Sequence, residues 1–328
     1  MSSLPSALVT GITGQDGSFT AELLLEKGYR VTGLMRGSAA DSLGCSEHLR
    51  GEIDLARGDL LEPDTLRLAV ERLRPDEIYH LASPSFVPDS WQRPSEIMGA
   101  IAGASAAILE TARDLDVGAR VFVSASGAIF GDAPESPQRE DTPCRPTNPY
   151  AVAKLASHQI LGALRTHYGL HANSGILYNH ESERRPEQFV TRRITRGAAA
   201  ISLGLQQELT LGSLDAVRDW SFAGDIVYGA WLMLQQEQPD DYILASGVPH
   251  TVAELASTAF ACVGLDAERY LRVDPSLVRP PERSPSVGDP TKAREQLGWE
   301  PRMSFQELVE RMVLADARSL RAAAAASQ

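Results

Sequence analysis

The chain has 328 residues, of which 43% are hydrophobic and 23% are charged, and its formal net charge is −12. This balance is typical of a globular protein with a full hydrophobic core, and the acidic surface argues against DNA or an anionic membrane as the main partner. Three scattered cysteines, no signal-peptide pattern and no apolar run of ~18 residues favour a cytoplasmic protein without disulfides, a metal site or a membrane span.

The first half of the chain alternates short apolar runs with segments of helical spacing. The apolar runs predict strands at residues 7–10, 30–35, 53–56, 77–81, 121–124 and 173–178. The segments between them predict helices at residues 19–27, 64–74, 95–115 and 150–168. Strands that alternate with helices form right-handed crossover units, so the sequence predicts an α/β fold with a Rossmann-type doubly wound parallel sheet.

After Tyr178 the pattern loosens. Segments rich in arginine and proline are interpreted as ligand-facing loops at residues 183–196, 211–220 and 279–289. Helical spacing returns at residues 223–236, 252–264 and 305–320, and the alanine-rich tail 321–328 is expected to fray. We therefore expect a first domain over residues 1–178, with later returns near 213–245, and a smaller α+β domain formed mainly by residues 179–328.

A glycine-rich turn follows the first predicted strand, with the sequence Thr-Gly-Ile-Thr-Gly-Gln-Asp-Gly over residues 10–17. Glycines let the backbone approach a pyrophosphate closely, and the free amides at the start of the next helix attract its negative charge. By itself the triplet also fits a simple tight turn, but its position between a strand and a helix favours a dinucleotide site. The cofactor contacts expected here are Gly11, Thr13, Gly14, Gln15, Asp16 and Gly17.

The ends of the next strands help to choose the cofactor. An NAD enzyme usually has an acidic residue after the second strand, where it binds the ribose hydroxyls, whereas this chain has Arg36. A guanidinium there pairs with a 2′-phosphate, so NADP is favoured over NAD; the alternative is a surface arginine without a ligand. Asp59 is a candidate for an adenine contact or an ordinary turn residue, and Leu60 and Leu81 complete the expected cofactor contacts.

Tyr150 and Lys154 are four residues apart at the start of a long predicted helix and therefore share a face. A phenol has a pKa of about 10, which a nearby ammonium and an oxidised nicotinamide ring would lower, so that the tyrosine acts as a base. Ser126, at a predicted strand end, can hydrogen-bond the reacting oxygen. A lone Tyr-x-x-x-Lys pair occurs by chance, but here the pair follows a glycine turn and a serine at a strand end, in the order that this chemistry needs. We therefore predict that Ser126, Tyr150 and Lys154 are catalytic and that Tyr150 and Lys154 also bind the cofactor.

The chain resembles the extended short-chain dehydrogenases/reductases that modify nucleotide sugars, and within them the GDP-mannose 4,6-dehydratase family. The resemblance covers nearly the whole chain. Its most specific stretches are residues 7–18 (ALVTGITGQDGS), 21–28, 75–79, 149–155 (PYAVAKL), 175–182 (GILYNHES), 189–196 (FVTRRITR), 218–220 and 288–293. The resemblance implies that the smaller domain binds a nucleotide-diphosphate sugar.

The resemblance also implies which residues bind that substrate. They are Ser85, Ser126, Asn179, Val190, Arg193, Arg218, Arg279 and Glu282. Among them Arg218 and Arg279 resemble the arginines that clamp the diphosphate, and Glu282 resembles the acceptor for the ribose hydroxyls. Forked guanidinium groups suit such phosphate contacts.

One departure from the family affects the reaction. The dehydratases have a Thr-x-Glu arrangement after the fifth strand, in which the glutamate removes the C5 proton of a 4-keto sugar. Here Ser126 keeps the hydroxyl, but the glutamate position is Ala128, and the loss of a general base costs about two to four orders of magnitude in rate. Cys144, His180 and Glu181 are the candidates for a replacement base.

Oxidation at C4 does not depend on that glutamate, which leaves three reactions open. We expect 4-epimerisation of a GDP-hexose, or of a GDP- or ADP-heptose; the alternatives are reduction of a 4-keto sugar and 4,6-dehydration with a relocated base. A nucleotide-binding regulator is the non-enzyme alternative, although the retained catalytic residues argue against it. Residues 37–51 form a loop that looks shorter than its family counterpart, so a homodimer is expected at least as much as a homotetramer, and Pro84 and Phe86 indicate a changed sugar.

Overall fold

A computed structural model describes residues 4–37, 41–115, 118–277 and 285–326. The strands, β1 to β12 in chain order, are Ser6–Thr10, Arg30–Met35, Asp54–Arg57, Glu77–His80, Arg120–Ser126, Ala172–Leu177, Asn179–Glu181, Leu209–Leu211, Val217–Phe222, Tyr242–Leu244, Pro249–Thr251 and Leu271–Val273. The helices, α1 to α12, are Gln15–Glu26, Pro63–Leu73, Asp89–Gln92, Pro94–Met98, Ala104–Asp114, Pro149–Tyr168, Val190–Ser202, Ala223–Gln235, Val252–Ala261, Ala267–Tyr270, Thr291–Leu297 and Phe305–Ala326.

A seven-stranded parallel sheet forms the centre of the described chain. Its order is β10-β6-β5-β4-β1-β2-β3, so the chain winds outward from β1 in one direction and then from β4 in the other. The point where the direction reverses leaves a crevice at the carboxyl ends of the strands, where such folds bind ligands. The predicted doubly wound α/β fold is therefore confirmed.

Side chains of the sheet alternate between two helical layers because successive strand residues point to opposite faces. Ala7 and Val9 pack in the layer that contains α1, α8 and α11. Leu8 and Ile78 pack in the opposite layer with α2, α5 and α6. Both faces of the sheet are thus covered, which explains why its strands read as nearly continuous apolar runs.

A smaller unit is formed mainly by the second half of the chain. Its core lies between α7, α9 and α12 and includes Trp220 and Phe305, whose stacked rings are 6.1 Å apart. Beside it lie a three-stranded sheet, β11-β9-β7, and the pair β12-β8. Helix α8 and strand β10 come from the same half but join the central sheet. The proposed domain division at residue 178 stays a prediction.

Three boundaries differ from the sequence-based predictions. Residues 190–196 belong to α7 and not to a loop, because Ile194, Ala198 and Ile201 form an apolar stripe that packs into the core of the smaller unit. Residues 217–220 likewise belong to β9. Helix α12 continues to Ala326, consistent with the high helix propensity of alanine. The prediction that the tail frays from residue 321 is therefore wrong for residues 321–326.

Within the described ranges, no helix combines the length and apolar character needed to cross a membrane. The loop 37–51 was expected to be short, and its residues 38–40 lie outside the described residues. The tail residues 327–328 also lie outside them.

Asp219 connects the smaller unit to the end of the central sheet. It lies on β9, is fully buried, and accepts hydrogen bonds from the Ser246 amide at 2.8 Å, the Ser246 hydroxyl at 2.6 Å and the Gly247 amide at 2.9 Å. The amide of Gly288 is 3.3 Å from the same carboxylate. This side chain therefore joins segments that follow β10 and precede α11.

We expect Asp219→Ala to lower the free energy of unfolding by on the order of 3 kcal/mol, because several buried donors lose their acceptor. Urea denaturation measures the loss. Asp219→Asn is the matched control and should lose less, since it keeps one oxygen acceptor. A loss of no more than roughly 0.5 kcal/mol in the alanine variant, as at an ordinary surface position, would contradict this assignment.

Candidate active site

The turn from β1 to α1 brings the backbone very close to neighbouring segments. Gly11 has a φ of +75°, and a Cβ there would lie 3.0 Å from backbone atoms of Ala82. A Cβ on Gly17 would lie 2.1 Å from the Gly11 carbonyl oxygen. Helix α1 begins after Gly14 without any side-chain cap. Its first amides are therefore suited to an anion such as a pyrophosphate, and the glycines fit the cofactor role predicted for them.

Gln15 and Asp16, also predicted to contact the cofactor, make their side-chain contacts with the segment around β7. The amide nitrogen of Gln15 donates to the His180 carbonyl at 3.1 Å, and its oxygen accepts from the Ser182 hydroxyl at 2.7 Å. Asp16 Oδ2 lies 2.9 Å from His180 Nε2. Thr13 is exposed beside them at the rim of the turn. These contacts fasten the N-terminus of α1 to β7.

His180 and Asp16 form a partly buried ion pair, in which 13% and 24% of the side-chain surfaces are exposed. The other ring nitrogen of His180 lies 2.7 Å from the Tyr178 carbonyl oxygen, so both nitrogens have acceptors and the protonated ring is fully satisfied. Burial lowers the pKa of His180, but the charge and hydrogen bond of Asp16 outweigh burial and raise it. Burial raises the pKa of Asp16, but the histidine brings it down to about 2.

Lys154 lies one helical turn after Tyr150 and is 4% exposed. Its Nζ donates to the Ser124 carbonyl at 2.6 Å and contacts the Ser124 hydroxyl at 3.1 Å. The same Nζ is 6.0 Å from the centre of the Tyr150 ring. Burial lowers the pKa of Lys154 to about 8. The ammonium is therefore held near the tyrosine by the end of β5.

Tyr150 lies beside Ser126. Burial raises the pKa of the phenol, while an interaction with the Ser126 side chain and the positive charge of Arg185 lower it. The Ser126 hydroxyl also accepts a hydrogen bond from the Ala128 amide at 3.2 Å. The structure thus brings the three predicted catalytic residues together at the carboxyl end of β5.

The remaining predicted cofactor residues lie at the ends of neighbouring strands. Arg36 is exposed directly after β2, and Asp59 follows the adjacent strand β3. Asp59 caps a turn by accepting from the Leu61 amide at 2.9 Å, which leaves its second oxygen for other contacts. Leu60 and Leu81 pack partly against the two layers of the core.

The predicted substrate residues are distributed over several elements. Ser85 is exposed in the loop after β4, and Asn179 begins β7. Val190 begins α7, and the Arg193 guanidinium donates to the Thr210 carbonyl at 2.9 Å on the same side of that helix. Arg218 lies on β9, where its guanidinium contacts the carbonyl of its own neighbour. Arg279 and Glu282 lie outside the described residues.

A family model described as GDP-mannose 4,6 dehydratase matches residues 8–312 of the chain. The chain belongs to the GDP-mannose 4,6-dehydratase family. A relative from Arabidopsis thaliana named GDP-mannose 4,6 dehydratase 1 is 44% identical over 319 residues, covering 94% of this chain and 88% of that protein. Membership confirms the predicted family, and the chain is a nucleotide-sugar-modifying enzyme of the short-chain dehydrogenase/reductase type.

Solved structures of the same architecture include two UDP-glucose 4-epimerases. That of Thermotoga maritima, determined with UDP-glucose, has a TM-score of 0.85 at 25% identity, covering 96% of this chain and 99% of that one. That of Thermus thermophilus, in complex with NAD, has a TM-score of 0.81 at 26% identity, covering 95% and 98%. This member of the GDP-mannose 4,6-dehydratase family thus has the same architecture as UDP-glucose 4-epimerases.

The three candidates for a replacement base do not offer a free base. Both ring nitrogens of His180 are occupied, as described above. Glu181 is 2% exposed, and its Oε2 accepts from the Thr191 hydroxyl at 2.6 Å and lies 3.1 Å from the Arg185 guanidinium. Burial raises the pKa of the Cys144 thiol. The assignment of Ala128 to the family's glutamate position stays a prediction from resemblance.

Some residues of the site carry roles that the sequence analysis did not assign. Ser124 anchors the lysine, and its spacing of two from Ser126 on the same strand face was a signal that could have identified it. The nearby His80, which receives a contact from the Thr10 hydroxyl at 2.9 Å, has its pKa lowered to about 3 by burial and by the charge of Lys154. Arg185 was one of several arginines in its segment, and the sequence alone does not distinguish it from them.

We expect His180→Gln to destabilise the protein most at mildly acidic pH. The pKa of His180 is raised above its ordinary value of about 6.5, so its stabilising contribution is present below that pH and is lost as the pH rises through the raised value. The contribution of Asp16, whose pKa is about 2, is present above about pH 4 and lost only in stronger acid.

Urea denaturation of both proteins across about pH 5 to 9 measures this difference. His48→Gln is the matched control, because that imidazole pairs with Glu22 at the surface and is half exposed, so its effect should be small throughout. A destabilisation by His180→Gln that stays constant over the whole pH range would refute the charged pair.

Proposed function

We propose that the enzyme oxidises the C4 hydroxyl of a GDP-linked sugar with bound NADP and returns the hydride to the opposite face, so that the net reaction is 4-epimerisation. The observation that carries the oxidation step is the cluster of Ser126, Tyr150 and Lys154 at the carboxyl end of β5. The glycine turn at the end of β1 lies at the same edge of the sheet.

The chain's own residues account for the proton transfer. Tyr150 takes the proton of the C4 hydroxyl, and Ser126 donates a hydrogen bond to the same oxygen. The Ser126 side chain and the guanidinium of Arg185 lower the pKa of the phenol and so favour the phenolate. When bound, the oxidised nicotinamide supplies the hydride acceptor and a further positive charge.

Support for NADP comes from the strand ends. Arg36 is exposed after β2, in the position where an acidic residue would suit the ribose hydroxyls of NAD, and a guanidinium suits a 2′-phosphate. The uncapped start of α1 and the close glycines fit the pyrophosphate. The Thermus thermophilus neighbour was solved with NAD, so the identity of the cofactor has to be measured on this chain.

Support for a GDP-sugar comes from the relatives and from charge. The curated relatives named GDP-mannose 4,6-dehydratase are 36–44% identical. Among the predicted substrate residues, Arg193 and Arg218 supply guanidinium groups suited to a diphosphate. Arg279 and Glu282 are proposed from resemblance alone, as are a homodimer or homotetramer and a cytoplasmic location.

The fate of the oxidised sugar divides the two leading reactions. The names of the relatives favour 4,6-dehydration, which requires a base for the C5 proton. At the expected position this chain has the methyl group of Ala128, and the three replacement candidates are occupied or protonated. Epimerisation needs only the redox residues and rotation of the keto sugar, so we place it first. Reduction of a 4-keto sugar and a regulatory role without turnover are the remaining alternatives.

Incubation of the purified protein with GDP-mannose and with related GDP- and ADP-sugars tests the proposal. Mass spectrometry and NMR should find a product of unchanged mass with inverted configuration at C4. A product that has lost one water would overturn epimerisation in favour of dehydration. Mass analysis of the nucleotide released on denaturation should find NADP.

Tyr150→Phe serves as the control for this assay. It should lower turnover by at least about two orders of magnitude, since the proton acceptor is removed, while the purified protein still carries its cofactor. Unchanged turnover in this variant would refute the role of the tyrosine.

We expect Ala128→Glu to introduce or increase the dehydrated product. A carboxylate at this position would supply the missing base for the C5 proton, whereas Ala128→Gln adds a side chain of the same shape without a base. Product ratios by mass spectrometry compare the two variants. Equal amounts of dehydrated product from both would contradict the assignment of residue 128 to the C5 position.

A further inference from the structure

A fully buried carboxylate on the last helix is paired with an arginine of α7. Asp316 has 0% exposure, and its Oδ1 and Oδ2 lie 2.9 and 3.1 Å from Arg192 Nε. Its Oδ1 also lies 2.7 Å from one terminal nitrogen of that guanidinium. The Thr195 hydroxyl also donates to it at 2.7 Å. The ion pair therefore fixes the plane of the guanidinium from one side.

The other terminal nitrogen of Arg192 points away from α12. It donates to the carbonyl of Glu183 at 2.5 Å and to the carbonyl of Arg185 at 2.7 Å. Both carbonyls belong to residues 182–189, which connect β7 to α7 and which we call the β7–α7 loop. One buried arginine thus spans from the last helix of the chain to the backbone of this loop.

The β7–α7 loop lies against the start of α1, where the Ser182 hydroxyl donates to the side chain of Gln15, a predicted cofactor residue, at 2.7 Å. The positive charge of Arg185 lowers the pKa of Tyr150. The Arg185 guanidinium lies 3.6 Å above the ring of Phe189, and that ring meets Phe86 from the loop after β4 edge to face at 5.8 Å. The loop is therefore packed against the segment that leaves the central sheet beside the site.

We propose that Arg192, oriented by Asp316, is a positioning residue that fixes the backbone of the β7–α7 loop, so that the Arg185 guanidinium keeps its contacts with Glu181 and Phe189 at the candidate site. The inference rests on the proposed function, because the site that the loop borders is the one proposed to oxidise the sugar. It extends the active site to α12, which has no other assigned role in the reaction.

The chain offers a matched control on the same helix. Arg311 of α12 also binds the loop, but through the side chain of Glu183 at 2.7 and 2.6 Å, and it is 40% exposed. Exposed pairs contribute little to stability. Arg311→Lys therefore changes an arginine contact to the Glu183 side chain and leaves the contacts of Arg192 with the loop carbonyls intact.

Arg192→Lys is the decisive variant. A lysine keeps the charge near Asp316, but its single ammonium cannot bind the carboxylate and both carbonyls together. Hydrogen–deuterium exchange should be faster for the amides of the β7–α7 loop in this variant and unchanged in Arg311→Lys. Asp316→Asn, which keeps the shape of the acceptor, should move the exchange in the same direction. Unchanged exchange of the loop in both Arg192→Lys and Asp316→Asn overturns the proposal.

The effect on turnover is measured in a double-mutant cycle with Arg185→Met. Arg192→Lys should lower kcat by about tenfold, with KM changed less than about twofold. In the Arg185→Met background the same change should lower kcat by less than about twofold. Equal factors in both backgrounds would mean that Arg192 acts only on general stability, and the proposal would be wrong.

The two readouts separate this inference from the proposed function. If the wild-type protein turns over no nucleotide sugar, the proposed function fails, and loop exchange alone decides whether Arg192 holds the loop. If the wild type is active and the cycle is additive, the proposed function stands and the positioning role fails.

Discussion

The active site is organised around a buried positive charge. Burial of an ammonium is costly unless polar groups replace its water, and Lys154 is satisfied by the carbonyl and hydroxyl of Ser124 at the end of β5. No carboxylate contacts it within the described residues: Asp16, which raises its pKa, is already paired with His180. The lysine therefore keeps its charge 6.0 Å from the centre of the tyrosine ring, and the neutral His80 beside it adds no competing charge.

The same burial acts in opposite directions on the two partners. It lowers the pKa of Lys154 to about 8, and it raises the pKa of Tyr150, so burial favours the neutral form of both groups. Cationic and hydrogen-bonding neighbours are needed to lower the pKa of the phenol, and Ser126 and Arg185 are the groups that lower it. The proposed anchoring of the loop that carries Arg185 fits this requirement, because the interaction between two charges weakens as their separation increases.

Local patterns predicted what is encoded locally and missed what is not. The parallel sheet and the Tyr-Lys pair follow from apolar runs and a four-residue spacing. The Asp16–His180 pair joins residues 164 positions apart, and Arg192–Asp316 joins residues 124 positions apart. The periodicity of apolar residues in the sequence does not indicate ion pairs between such distant positions. Helix α7 was mistaken for a loop because its arginines suggested a ligand-facing segment, whereas its apolar stripe becomes evident only against the distant helix α12.

The separation of the redox groups from residue 128 explains how one fold can serve several reactions. Tyr150 and Lys154 come from α6, and Ser126 ends β5, whereas Ala128 lies in the 3-10 turn that follows. The backbone amide of Ala128, and not its side chain, contacts Ser126. In the proposed function, a change of side chain there can consequently add or remove a base without disturbing Ser126, Tyr150 and Lys154. In the proposed function, once C4 is a carbonyl the neighbouring C5 proton is acidified, and a base at that carbon decides where the hydride returns: to C6 after loss of water, or to C4 in epimerisation. On this proposal, the outcome is decided after the oxidation, at a position that takes no part in the oxidation.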